Sequence, residues 1–251
     1  MLIKHITGLT DADLITTENI ALSDEQSVLL NDYIQQRLNG RPISKIIGVK
    51  EFYGRDFIVS DNVLDPRPDS ELIIDLVLQF QGQKAKILDL GTGSGCLILT
   101  LLSELPNATG VATDISPQAL SIAKQNAEKL NLRDRIEFIE SNWLELVDGE
   151  FDIIISNPPY IAPKVIAELD VEVSQYDPML ALDGGADGLF PYKVILPQIR
   201  TYLKKGGMMA MEHGYDQGDT VHRIAVDAGL SDVQVHKDLG DLDRVVTAIH
   251  K

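Results

Sequence analysis

The stretch KILDLGTGSGCLIL, residues 86–99, carries three patterns in immediate succession. Lys86 to Leu90 is a short apolar run of strand length. Gly91, Gly93 and Gly95 then fall at alternate positions, and Leu97 to Leu105 resumes an apolar pattern at helical spacing. Glycine lets the main chain turn with positive φ and lets a ligand approach where a Cβ would collide. A helix opening just after such a turn offers unpaired N–H groups to an anionic group.

The same alternation continues on both sides. TGVATD (109–114), IEFIE (136–140), FDIIIS (151–156), MMAMEH (208–213), VQVHKD (233–238) and RVVTAIH (244–250) read as strands. Between them, helices are predicted over the Leu72, Ile73, Leu76, Val77 and Phe80 face, from Pro117 behind a Ser116 N-cap, from Tyr192 to Leu203, and from Asp219 to Ala228 before Gly229. Strands that are mostly apolar on both faces, alternating with helices, predict an α/β class domain with a doubly wound, mostly parallel sheet. Upstream, residues 1–46 read as a helical unit. Its best-marked helix starts at a Ser23–Gln26 capping box and presents Val28, Leu29, Tyr33 and Ile34 as an apolar face. EFYGRDFIVS (51–60) suits a hairpin around Gly54, Arg55 and Asp56, and Pro66 and Pro68 stiffen the linker that follows. The expected division is therefore 1–46 helical, 47–70 hairpin and linker, and 71–251 the α/β domain.

Composition narrows the function. The 251 residues are 44% hydrophobic and carry 22 basic against 38 acidic side chains, a net charge of −16. A field of that sign repels phosphate backbones, so no direct nucleic-acid partner is expected. No apolar run approaches the roughly 20 residues of a membrane span, and the N-terminus lacks a secretory apolar core, so a cytoplasmic location without membrane contact is expected. One cysteine, Cys96, forbids an internal disulfide. The histidines show no metal-ligand spacing with it, and no metal is expected.

Two constellations carry chemistry. The dinucleotide fingerprint G-x-G-x-x-G/A is broken here, because Cys96 stands at its last position and Gly95 comes one residue early. The spacing G-x-G-x-G across Gly91, Thr92, Gly93, Ser94 and Gly95 suits a nucleoside with a short amino-acid tail, such as S-adenosylmethionine. Asp114 ends the next strand, where a carboxylate can accept both ribose hydroxyls. Asn142 and Trp143 follow the third strand, where they could line the adenine. The second constellation is Asn157-Pro158-Pro159-Tyr160 at the C-terminal end of FDIIIS. The Asn157 side-chain oxygen and the Pro158 carbonyl, held by the fixed φ of Pro159, are two acceptors, and Tyr160 adds a flat ring. Two acceptors and a ring suit a planar N–H₂ group, either a carboxamide or the exocyclic amine of a base.

The chain resembles the glutamine methyltransferases of peptide chain release factors, the HemK/PrmC family. The resemblance runs through RPISKIIGVKEFYGRDFIVS, LDPRPDSELI, ILDLGTGSGCL, ATDIS, SNW, FDIIISNPPYI, YDPMLALDGGADGL, GGMMAMEHG and DLGDLDRVV in order. It implies a Rossmann-like class I methyltransferase domain with a seven-stranded sheet, behind a small helical substrate-recognition domain and a β-hairpin linker. Gly91 to Gly95, Asp114, Asn142, Trp143 and Asn157 would hold S-adenosylmethionine. Asn157, Pro158, Pro159 and Tyr160 would clamp the glutamine of a class I release factor's Gly-Gly-Gln loop. The N-terminal region is shorter than family members typically carry, and Asp65 stands where they have an apolar residue. An adenine-amine methyltransferase presents the same planar amine and is the alternative enzyme; a silent nucleoside-binding adaptor is the alternative without catalysis.

Overall fold

The computed structural model describes residues 1–80 and 84–251. Short helices α1 (Leu2–Thr7) and α2 (Asp11–Thr16) precede α3 (Asp24–Leu38) and α4 (Ile43–Ile47). The Ser23–Gln26 capping box forms as the sequence specifies. The apolar face expected on α3 is largely uncovered, with Val28 70%, Leu29 41% and Ile34 39% exposed. Helical periodicity locates a stripe but not the surface that covers it. Here α1 meets α3 through His5 and Tyr33, whose rings lie 6.1 Å apart, and leaves the rest of the stripe open.

Strands β1 (Val49–Phe52) and β2 (Arg55–Ile58) form the hairpin. Its turn is Tyr53–Gly54, both with positive φ, and Arg55 and Asp56 already belong to β2. A two-residue turn of that hand matches the twist of the paired strands, which places it just ahead of the expected Gly54–Asp56. Phe52 and Phe57 meet edge to face at 6.2 Å and sink into the core of the larger domain.

That domain runs α5 (Glu71–Phe80), β3 (Lys86–Leu90), α6 (Cys96–Glu104), β4 (Thr109–Asp114), α7 (Pro117–Lys129), β5 (Ile136–Glu140) and β6 (Phe151–Ser156). Four short helices follow, α8 (Pro163–Ile166), α9 (Val171–Ser174), α10 (Met179–Leu182) and α11 (Phe190–Ile195), and then β7 (Leu203–Glu212), α12 (Gly218–Asp227), β8 (Ser231–Lys237) and β9 (Asp243–Ile249). The expected helix from Tyr192 to Leu203 stops at Ile195 and continues as a 3₁₀ segment, Leu196–Thr201. Pro197 lacks the N–H an α-helix needs there and its ring crowds the carbonyl one turn back.

The sheet is seven-stranded in the order β5-β4-β3-β6-β7-β9-β8. β3 to β7 are mutually parallel, and β9 is antiparallel to both β7 and β8. Successive strand residues point to opposite faces. Ile153 and Ile155 accordingly enter one core with α5 and α6, while Ile154 enters the other with Tyr192, Leu196 and Val221. No helix among the described residues is long and apolar enough to cross a membrane.

Candidate active site

β3 is the strand at which the sheet order reverses, with β4 on one side and β6 on the other, and ligands bind beyond strand C-termini at such a point. Leu90 lies opposite both Thr113 and Ser156, and the Ser156 hydroxyl donates to the Leu90 carbonyl at 2.7 Å. Gly91, Asp114 and Asn157 therefore leave three adjacent strands together. They line one cavity of about 260 Å³ with Thr92, Gly93, Ser94, Asn142, Trp143 and Pro159.

Main-chain geometry builds one wall. Gly91, Gly93 and Gly95 all have positive φ, at 71°, 56° and 81°, but Gly95 lies outside the cavity lining, where a Cβ would meet Leu99 and Ala123. A Cβ on Gly93 would meet nothing within 4 Å, whereas one on Gly91 would sit 3.2 Å from the Trp143 ring. The turn is pinned by the Thr92 N–H to the Thr113 carbonyl at 2.8 Å and by the Thr92 hydroxyl to Asp89 at 2.7 Å. Burial pushes the Asp89 carboxyl up to about 7. The two oxygens of Asp114 accept the Gly93 and Ser116 N–H groups, each at 2.9 Å. Lone-pair capacity remains on this carboxylate for hydroxyls, and burial raises its pKa as well. Trp143 carries a positive φ of 53° and packs on the second core while lining the cavity, so it serves both purposes. Asn142 donates to Glu145 at 2.7 Å.

Side chains from distant segments build the opposite wall. Asn157 donates its Nδ2 to the Ser70 hydroxyl at 3.0 Å, Ser70 donates to Glu212 at 2.5 Å, and the Tyr160 hydroxyl donates to the other Glu212 oxygen at 3.2 Å. Tyr160 and the buried Pro158 lie beside this relay and outside the cavity lining; Pro159 lines it. The segment around α10 covers the same strand end. Its N–H groups and carbonyls bond Ile161, and a Cβ on Gly184 or Gly188 would fall 2.8 Å or 2.4 Å from the carbonyl oxygens of Pro159 and Tyr160. The glycines let one main chain lie directly against another.

A buried ionic cluster joins the helical unit to this wall. The fully buried Lys45 ammonium lies 3.4 Å from Asp65 and 3.3 Å from Asp177, and donates to the Ser60 carbonyl at 2.6 Å. Arg67 reaches Asp177 at 2.8 Å, and Ser44 donates to Asp65. Asp65 thus pairs with a cation, which explains an acid in the linker; Arg67 braces the α9–α10 connection and also lines the cavity.

Ser70, Glu212, Lys45, Asp177 and Asn126 escape a reading of the sequence. Asn126 is fully buried in α7 and binds the Ile58 N–H, the Ile58 carbonyl and the Ser94 carbonyl, so one amide ties the hairpin to the glycine turn. The one available signal was a polar residue on the apolar face of a predicted helix.

Residues 81–237 match the family described as Methyltransferase domain, and residues 1–48 match PrmC N-terminal domain. The chain is 41% identical to the release factor glutamine methyltransferase of Agrobacterium fabrum, over 98% of this chain and 88% of that one. It is 42% identical to the protein of that name from Caulobacter vibrioides, over 99% and 87%. Among solved structures, the hMettl16 catalytic domain bound to the MAT2A 3'UTR hairpin 6 superposes with a TM-score of 0.65 at 18% identity, covering 92% of this chain and 84% of that one. A methyltransferase from Pyrococcus furiosus gives 0.59 at 19%, covering 87% and 98%. These two share the Rossmann-like class I methyltransferase fold. With its sequence similarity running through both the helical unit and the catalytic fold, the chain belongs to the release factor glutamine methyltransferases, a family of S-adenosylmethionine-dependent protein-glutamine methyltransferases.

Proposed function

We propose that this enzyme methylates the side-chain amide nitrogen of the glutamine in the Gly-Gly-Gln motif of class I peptide chain release factors. The observation that carries the reading is the Asn157 amide at the cavity wall. Its Nδ2 is tied back to Ser70, and its Oδ1 has no partner among the described residues. S-adenosylmethionine, when bound, supplies an electrophilic methyl on a sulfonium; the amide nitrogen takes that methyl, the thioether leaves, and one amide proton is released to solvent.

The chain's residues fit that donor. Asp114 would hold the ribose hydroxyls, Trp143 and Asn142 would line the base, and the open side of Gly93 would admit the amino-acid tail. On the opposite wall, Asn157 Oδ1 accepts one hydrogen of the substrate amide, and the carbonyl of Pro158, itself outside the lining but set in the chain between the lining residues Asn157 and Pro159, is assigned the other. Acceptors on both hydrogens raise electron density on a nitrogen whose lone pair is otherwise delocalised, and they hold it in line with the methyl. Nucleophile and donor share one positive charge throughout, so no strong base is needed before transfer. The helical unit, docked on the wall through Lys45, adds contacts to the body of the release factor.

Incubating the chain with methyl-labelled S-adenosylmethionine and a recombinant release factor should label that glutamine and leave a Gln→Ala release factor unlabelled. Label in nucleic acid alone would replace this reading with adenine methylation.

A further inference from the structure

An asparagine amide is nearly the same shape when turned over, and its two ends do opposite things to a substrate N–H₂. Oxygen toward the cavity accepts from it; nitrogen toward the cavity sets donor against donor. Asn157 therefore needs a device that distinguishes its ends.

We infer that Ser70 and Glu212 are positioning residues that fix the Asn157 side chain with its oxygen toward the cavity. This rests on the function proposed above for its catalytic meaning. Glu212 is 1% and Ser70 2% exposed, so neither has water as an alternative partner. Ionised Glu212 only accepts. The single Ser70 proton goes to it at 2.5 Å, which leaves Ser70 Oγ as an acceptor, and the group it accepts from is Asn157 Nδ2 at 3.0 Å. Tyr160 fills the other carboxylate oxygen, so Ser70 has no competing arrangement there. The direction of every bond follows from the acceptor at the far end, and the linker that delivers Ser70 is held by Pro66, Pro68 and the Lys45 cluster.

The relay has a titratable end. Burial pushes Glu212 up to about 7, opposed by the Ser70 bond and by Arg244 of β9. Asp69 and Ser70 of the linker, Tyr160, the Tyr192 hydroxyl on the Glu212 carbonyl, Cys96 of α6 and His213 next in the chain complete its charged and titratable surroundings. A protonated Glu212 donates to Ser70, and the Ser70 proton then turns toward Asn157 and favours the flipped amide.

The test uses the full chain. In ¹⁵N-labelled protein, the Asn157 side-chain amide pair, identified by its loss in Asn157→Ala, should shift with a midpoint near the Glu212 value between about pH 5.5 and about pH 8.5. That titration should vanish in Glu212→Gln and in Ser70→Ala. In methyl transfer to release factor, Ser70→Ala should lower kcat by roughly 10–100-fold with S-adenosylmethionine affinity by calorimetry within about twofold, and Ser70→Thr should recover most of the loss; Glu212→Gln, whose amide oxygen still accepts the Ser70 proton, should keep kcat but lose the pH dependence of the Asn157 amide. A wild-type amide pair that does not titrate, Ser70→Ala within about threefold of wild-type kcat, or Ser70→Thr as poor as Ser70→Ala would overturn the relay. If the wild type labels no glutamine, the proposed function fails while the amide titration still decides the relay.

Discussion

The two walls of the cavity are built by opposite means. The wall at Gly91–Ser94 is largely main chain, formed within one strand-turn-helix, with the Asp114 carboxylate and the Trp143 ring beside it. The wall at Asn157 is side chain, and its parts arrive from the linker, the β6 and β7 ends and the α10 segment. A wall made locally of backbone serves a ligand common to many reactions. A wall assembled from remote side chains can be respecified piece by piece, which suits the part of a transferase that selects its acceptor.

Four substitutions test that division, the most damaging first. Asn157→Ala should cost about 10³-fold in kcat, with calorimetric S-adenosylmethionine binding within about threefold; joint loss of both would mean the walls are not separable. Lys45→Met removes the cation between two buried carboxylates and should destabilise the chain by about 3 kcal/mol in urea unfolding. An unchanged midpoint would detach the helical unit from the Asn157 wall. Asp114→Ala removes the hydroxyl acceptors and should weaken S-adenosylmethionine binding by about 2 kcal/mol, roughly 30-fold. Turnover at saturating donor should change far less, and a kcat loss matching that of Asn157→Ala would contradict the separation.

The smallest effect concerns pH. Glu212 and Asp89 are raised to about 7 by burial, so the folded state holds their protons more tightly than the unfolded state does. Their stabilising contribution is fully present below the ordinary carboxylate value and is lost as pH rises through about 7. Glu212→Gln should therefore raise Tm by roughly 2–4 °C at about pH 8 and leave it nearly unchanged at about pH 5. A fall in Tm at the higher pH would mean that Glu212 is retained for folding and not for the Asn157 amide.

The backbone wall is legible in the sequence because its signals are local: alternate glycines, an apolar strand before them, a Ser116 cap after the next strand. The fold class followed from the same periodicity. The relay was not legible, because Ser70 and Glu212 are 142 positions apart, and Ser70 and Asn157 are 87. Nothing in a serine, a glutamate or a lysine announces burial; the sheet decides it. The same gap explains α3, whose apolar stripe is plain in the sequence and largely uncovered in the fold.

The close seating of Gly184 and Gly188 on the Pro159 and Tyr160 carbonyls carries a lesson for anyone reprogramming the acceptor. A library that diversifies those glycines would mostly yield misfolded clones whatever chemistry it introduced, since any added carbon strikes backbone. The exposed neighbours Met179 and Leu180, one flanking the cavity and one lining it, can be varied freely without disturbing that contact.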